Sequence, residues 1–537
     1  MADYFIRTED IANDEILKLF VETARDREII DALKSRNPII LLGSRGVGKS
    51  FLMKVAQAEM LRDFEAENVL PVYVSFTKSS LLQTSTADQF HYWMLARICI
   101  SIVRALMKQG LLAGAPLSTQ IISGDASGRA TAQSKIEVIA AQFEESWKTP
   151  DVAVDVTSLP DVDKLKELLE DLCESSGVKR FSVCIDEAAH IFLPSQQRQF
   201  FTLFRDLRSP YLTCNAAVYP GVTSYGETFQ PVHDATVLSV DRDVTHPNYV
   251  SNMREIVEKQ AESAVSRDIE RNGQNFAVLA YAASGNPRIL LKTIAKASRI
   301  SSKEVNDVIR EYYRNEIWSE HSLLVEKYKS HKDIIDWGRA FIENDLLPDL
   351  RMRNIYSLSQ GQKTSCFFWI HRDAPAVVMH ALKVLSYTGI VIEHSAGIKA
   401  KSTEIGTRYL VNLGCLFALE SQPAVTAFPV AQNLDMRRMK EYRANHPIFA
   451  PVVDATPTLN DESLGRVEFL DQISKSIDVL DISDWQKEVL QKLKILTLSD
   501  LLNSSESDLQ KAHYVGEVRS RRMRNAAFAA IYEYLSG

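Results

Sequence analysis

Gly43-Ser44-Arg45-Gly46-Val47-Gly48-Lys49-Ser50 fits G-x-x-x-x-G-K-[ST], and these residue types suit the holding of a phosphate. Glycines let backbone N–H groups turn inward and wrap phosphate oxygens. Lys49 has the reach for β- and γ-phosphate oxygens, and the Ser50 hydroxyl can ligate Mg²⁺. A second cluster, Asp186-Glu187, ends the apolar run Phe181-Ser182-Val183-Cys184-Ile185. There a carboxylate can hold the metal through water, and its neighbour can polarise an attacking water.

These residues need a scaffold that brings them to one edge. Ile39-Ile40-Leu41-Leu42 reads as a buried parallel strand entering the loop, and Phe51 to Leu61 as the helix leaving it. Further strands are expected at Val69–Phe76, Phe181–Glu187, Leu212–Tyr219 and Thr236–Val240. Parallel strands put their C-terminal ends along one edge, so both motifs should meet there. The class is α/β, a parallel-sheet nucleotide-binding core. Helices are expected at 13–36, Gln89–Met107, around Leu165–Leu172 and over Gln196–Leu207, with a Gly/Ser/Thr-rich loop at 109–134.

At 537 residues the chain should hold several domains. A net charge of −7 gives no global nucleic-acid signature, so any such contact must be local. The six cysteines are scattered without C-x-x-C, and buried thiols in a reducing compartment are expected rather than zinc. No leader pattern and no apolar run of membrane-spanning length stands out, so the expectation is a cytoplasmic protein with no membrane contact.

Helices over 247–270, 274–283 and 287–299 follow the sheet, with Ser284-Gly285-Asn286-Pro287-Arg288 between the last two. The order Gly43–Ser50, Asp186-Glu187, a strand ending near Tyr219, then Gly-Asn-Pro-Arg resembles the AAA+ ATPases. The resemblance is to the branch shared by origin-recognition/Cdc6-like initiators and STAND-type ATPases, over residues 1 to about 310. The helix with Asp26-Arg27-Glu28 resembles the segment before their adenine pocket. The resemblance implies ATP and Mg²⁺ as cofactors, Ser50 and Asp186 at the metal, and Glu187 as the residue that positions water. It implies Arg288 as the lid arginine that senses the γ-phosphate, and Arg205 or Arg208 as an arginine finger towards a neighbouring subunit. Sensor 1 has no match, because Tyr219 and Pro220 stand where a polar residue is usual and Asn215 comes too early.

The implied domains are an ATPase core at 1–245 with an insertion at about 77–160, a helical lid at 246–320 and a winged-helix-like domain at 321–420. A Pro-interrupted linker at 421–470 and a helix-hairpin-helix domain at 471–537 complete the chain. Gly389–Glu393, a polar turn and Arg408–Leu413 resemble a winged helix, with Lys399, Lys401 and Lys383 as phosphate contacts. Within the linker, the basic stretch Met436–Arg443 is expected as a short helix near nucleic acid or an acidic partner. The last sixty residues resemble the C-terminal domain of the bacterial RNA polymerase α-subunit. Gly516 would be the hairpin glycine, and Lys511, Arg519, Arg521, Arg522 and Arg524 a basic face against Glu517 alone. The function implied is a nucleotide-gated switch associated with DNA. The alternatives are a STAND-like signalling ATPase that forms a homo-oligomer on ATP, as in antiphage defence with a separate effector protein, and a structural nucleotide binder.

Overall fold

The computed structural model describes residues 4–76, 88–111, 134–146, 154–188, 194–221, 223, 225–226, 228–297, 299–327, 331–400, 403–453, 473–480 and 482–536. The predicted loop at 109–134 lies almost wholly outside the described residues, as does Lys401. The chain divides into two units, essentially Phe5–Asp241 and Arg242–Leu535.

In the first unit, strands β1 (Ile39–Leu42), β2 (Val69–Ser75), β3 (Arg180–Asp186), β4 (Leu212–Val218) and β5 (Thr236–Ser239) form one parallel sheet in the order β2-β3-β4-β1-β5. The fold class is therefore α/β, as expected. β1 to β4 are almost wholly buried because helices cover the sheet, which is why they read as continuous apolar runs rather than alternations. Helix α1 (Ala24–Lys34) starts on Thr23, whose hydroxyl accepts the Asp26 N–H. It packs on α2 (Lys49–Arg62), and Ile29, Ile30, Leu33, Leu52, Met53 and Val55 form the core beneath β1. Glu59 of α2 is 6% exposed and ties the pair together, with Arg27 at 2.9 Å and Lys34 at 3.3 Å.

Helix α3 (Asp88–Lys108) packs on β2, on α4 (Lys135–Glu144) and on α6 (Pro194–Asp206), while α5 (Val162–Ser176) precedes β3. By length and composition alone the stretch Gln89–Lys108 could cross a membrane, contrary to the sequence expectation. Here Phe90, Trp93, Met94, Ile98 and Ile102 fill the core of the unit.

The second unit begins with α7 (Tyr249–Glu258), α8 (Ser263–Arg271), α9 (Gly273–Ala282), α10 (Pro287–Lys296) and α11 (Ser302–Glu311). A winged-helix-like module follows: α12 (Lys332–Ala340), α13 (Leu347–Ser359), β6 (Phe367–His371), α14 (Ala376–Tyr387), β7 (Val391–Lys399) and β8 (Ile405–Val411). The sheet order is β7-β8-β6-β9, with β9 (Met439–Tyr442) parallel to β6.

Three expectations are corrected here. Residues 421–453 are not a linker. α15 (Pro423–Gln432) packs on α9 and α11, and Met436–Arg443 contributes strand β9 rather than a helix. The reason is tertiary, since β6 has an open edge that β9 fills. The C-terminal module comprises α16 (Asp484–Lys492), α17 (Leu498–Asn503), α18 (Glu506–Leu509) and α19 (Glu517–Ser536) around Ile477, Leu490, Leu498, Leu501, Leu509 and Met523. The left-handed residue of its hairpin is Tyr514 (φ 66°), not Gly516. Gly516 instead starts α19, with its carbonyl accepting from Arg519 and Ser520.

Candidate nucleotide site

The first four residues of the phosphate loop follow directly from β1. Gly46 (φ 91°) and Gly48 (φ 108°) take the left-handed conformations that an L side chain resists, so the loop can turn its amides inward. A Cβ on Gly43 would stand 2.8 Å from Val47 Cγ2, so the loop closes tightly on itself. Gly48 caps α2 and Lys49 and Ser50 form its first turn, which aims the positive end of the helix dipole along the loop. Lys49 is 6% exposed. Its Nζ donates to Gly43 O at 2.6 Å and Ser44 O at 3.0 Å and lies 4.0 Å from the centroid of the Tyr219 ring. Arg45 is exposed on the outer turn.

Register places the second cluster at the same edge. Leu42 is level with Val218 of β4 and Ser239 of β5, so Gly43, Tyr219 and Val240 emerge side by side. One strand further on, β3 ends in Asp186, which is 3% exposed. Asp186 accepts the Tyr73 hydroxyl on one oxygen and the Glu187 N–H at 2.9 Å on the other. Burial, then the adjacent Asp186 charge, raise the Tyr73 hydroxyl far above the usual range, so it stays a donor. Glu187 has φ 57°, a left-handed conformation that is costly for a non-glycine residue and turns the chain sharply off the strand end. Two side chains that sequence reasoning did not assign to the site therefore belong to it. Tyr73 orients Asp186 from β2. Tyr219, just past the end of β4, presents its ring to Lys49. Asn215 is structural: it accepts from Ile39 N at 3.0 Å and donates to Leu33 O at 3.1 Å.

Of the two finger candidates, Arg205 is held by Asp206 at 2.8 Å and by Thr228 O at 2.6 Å. Arg208, just past the end of α6, is exposed and its guanidinium contacts no acid among the described residues. Arg288 lies in the other unit, in the first turn of α10 behind the Asn286 cap. The turn before it is tightly held. Gly285 N donates to Tyr249 Oη at 2.7 Å, and Ser284 Oγ accepts from Leu413 N, beyond β8, at 2.8 Å.

The basic residues are dispersed. Lys399 is exposed at the end of β7 and Lys383 is exposed on α14, whose other residues are mostly buried. The C-terminal face is more neutral than its local charge count suggests. Lys511 pairs with Asp508 at 2.6 Å and Arg521 with Glu506 at 3.0 Å. Arg522 makes a bidentate pair with Asp373 at 2.9 and 2.8 Å, and Asn525 accepts from Ala376 N at 3.0 Å. Arg519 lies 5.2 Å from the Trp485 ring and Arg524 5.4 Å from that of Phe528. Asp373 is distant in sequence and Glu506 lies on a neighbouring helix, whereas Asp508 stands only three residues before Lys511, just outside the stretch whose charges were counted. All six cysteines are buried and unbridged, and no metal-ligating cluster of His, Cys, Asp and Glu occurs among the described residues.

No curated protein matches the chain. The solved structures that match include two with low overall scores. The Walker-type ATPase PABY2304 of Pyrococcus abyssi is 14% identical, with 80% of this chain and 97% of that one covered at a TM-score of 0.35. The Aeropyrum pernix Orc1 protein in complex with DNA is 15% identical, with 78% and 97% covered at a TM-score of 0.32. Residues 5–101, which carry the phosphate loop and the first two strands, match the family model ORC-CDC6-like.

Proposed function

We propose that the chain binds ATP with Mg²⁺, hydrolyses it, and uses the cycle to switch its association with DNA. The observation that carries this reading is the shared edge: Lys49 and Ser50 in the first turn of α2, with Asp186 and Glu187 at the end of β3 in the same parallel sheet. The donor set fits the cofactor, since a hydroxyl and a buried carboxylate suit Mg²⁺ and a glycine loop under a helix start suits a triphosphate. The metal would be held by Ser50 and, through water, Asp186, and when bound it neutralises charge developing on the phosphoryl oxygens. Lys49 binds and orients the phosphates. Tyr73 keeps the Asp186 carboxylate turned, and Glu187 takes a proton from the attacking water. Arg288 would report the γ-phosphate from the lid. The DNA part is supported by the family match over residues 5–101 and by the exposed cations Lys399 and Arg519.

Turnover and nucleotide affinity test this reading. Lys49→Ala should lose ATP binding. Glu187→Gln should keep binding and lose roughly 10²–10⁴-fold in turnover. Unchanged turnover in Glu187→Gln would remove the hydrolytic role and leave a structural nucleotide binder. A second reading, ATP-driven homo-oligomerisation of the signalling type, is favoured by the exposure of Arg208, which would then serve a neighbouring subunit. There, ATP alone should enlarge the particle in light scattering, and Arg208→Ala should prevent it.

A further inference from the structure

Two of the cations best placed to meet DNA, Arg437 and Arg438, belong to the basic stretch Met436–Arg443 rather than to the wing or the hairpin module. The wing contributes Lys399, and the hairpin module spends Lys511, Arg521 and Arg522 on Asp508, Glu506 and Asp373. A different face of the winged-helix-like module carries cations whose side chains form no ion pair among the described residues. It is formed by the C-terminal half of α13, the turn leading to β6, and the turn before β9.

Arg438 is exposed, yet held by neutral groups: it donates to Ser357 Oγ at 3.3 Å and to Gln362 Oε1 at 3.0 Å. Lys363 is exposed and donates only to the amide oxygen of Asn433 at 3.5 Å. Arg437 is exposed, and neighbouring Asp435 accepts its backbone N–H at 2.9 Å. The other acid of this side, Asp349, is already covered by Arg353 at 2.7 Å and Lys440 at 3.3 Å. Lys363 and Arg438 are thus held by neutral partners, and Arg437 adjoins them with the Asp435 carboxylate at its backbone, so the patch keeps a net positive charge of the kind that polyanion backbones reward. Beside Ser357, Tyr356 is 65% exposed and turns its ring outward from the same helix. A flat aromatic next to clustered cations fits a nucleic-acid strand better than an acidic protein surface.

We propose that Lys363, Arg437 and Arg438, with Tyr356 beside them, form the principal DNA-backbone surface of this chain. The inference rests on the reading of the chain as DNA-associated and names the face that does the work. Each cation neutralises one phosphate, and Tyr356 stacks on a base or sugar at the border of the patch.

The test uses the full chain, fluorescent duplex and single-stranded DNA, and salt titration of the affinity. The variants are Lys363→Gln with Arg437→Gln and Arg438→Gln, Tyr356→Ala alone, and Lys511→Gln with Arg519→Gln as a comparison. The expected result is a loss of about thirty-fold for the triple variant, with the slope of log K against log salt reduced by about 2–3. ATP affinity and melting temperature should stay at the wild-type values. Tyr356→Ala should weaken single-stranded more than duplex binding. If the wild type binds and the triple variant binds equally well, with loss confined to the Lys511/Arg519 variant, this surface is wrong and the DNA reading stands. If the wild type binds neither DNA at low salt with or without ATP, the DNA reading fails and this surface with it.

Discussion

Glu59 carries a charge into a nearly closed place between α1 and α2. Burial pushes its carboxyl upward, but hydrogen bonds from Arg27 and Lys34 and their charges outweigh this and hold it below the ordinary value. A carboxyl with a depressed folded pKa stabilises above its unfolded value of about 4.3, and the contribution is lost as pH falls through the folded value. Glu59→Gln should therefore cost on the order of 2 kcal/mol at neutral pH. The gap to the wild type should shrink below about pH 4. Thermal unfolding of both proteins from pH 3 to 7 checks this, and a gap that persists in acid would show that the effect is not the charge.

Among elements, one very close approach joins the segment after α11 to the segment after β8. A Cβ on Gly414 would stand 2.2 Å from the Tyr313 ring, which is 1% exposed and has nowhere to go. Gly414→Ala should destabilise the second unit by about 1–3 kcal/mol. Hydrogen exchange at the Ser284–Leu413 contact should rise, and unchanged protection there would sink the idea that the packing locks the turn before Arg288. The difference between this contact and the phosphate loop explains what was legible. Gly43–Ser50 and Asp186-Glu187 are local patterns, and the sheet that unites them follows from short apolar runs. Strand β6 is equally apolar over Cys366–Ile370 and was legible in principle. Strand β9, by contrast, reads Met-Lys-Glu-Tyr and is a strand only because β6 has an edge to fill. The Tyr73–Asp186 bond and the Arg522–Asp373 pair join residues more than a hundred positions apart, and nothing in a single sequence ties them.

For the whole molecule, the two units should respond to acid differently. The second buries His321, His331 and His380, with exposures of 0%, 2% and 5%. Burial lowers the first two to about 4 and the third further. The unfolded chain binds these protons near pH 6.5 and the folded unit does not, so stability falls as pH drops below that value. The upper bound is about 1.4 kcal/mol per histidine per pH unit. Proteolysis at pH 5 should cut within Arg242–Leu535 before Phe5–Asp241, and the opposite order would contradict the assignment.

The strand order has a further consequence, for the chain as it is made. β1 leads into the phosphate loop, yet its partners are β4 and β5, ending at Val218 and Ser239. A growing chain delivers Leu42 early and must then wait for well over a hundred residues before that strand has a neighbour. At ~5–20 residues per second this is a delay of roughly ten to forty seconds. During it, Ile39–Leu42 is an apolar segment with two open edges. The oldest motif in the chain by synthesis is among the last to be built, and ribosome-associated chaperones have the longest access to it.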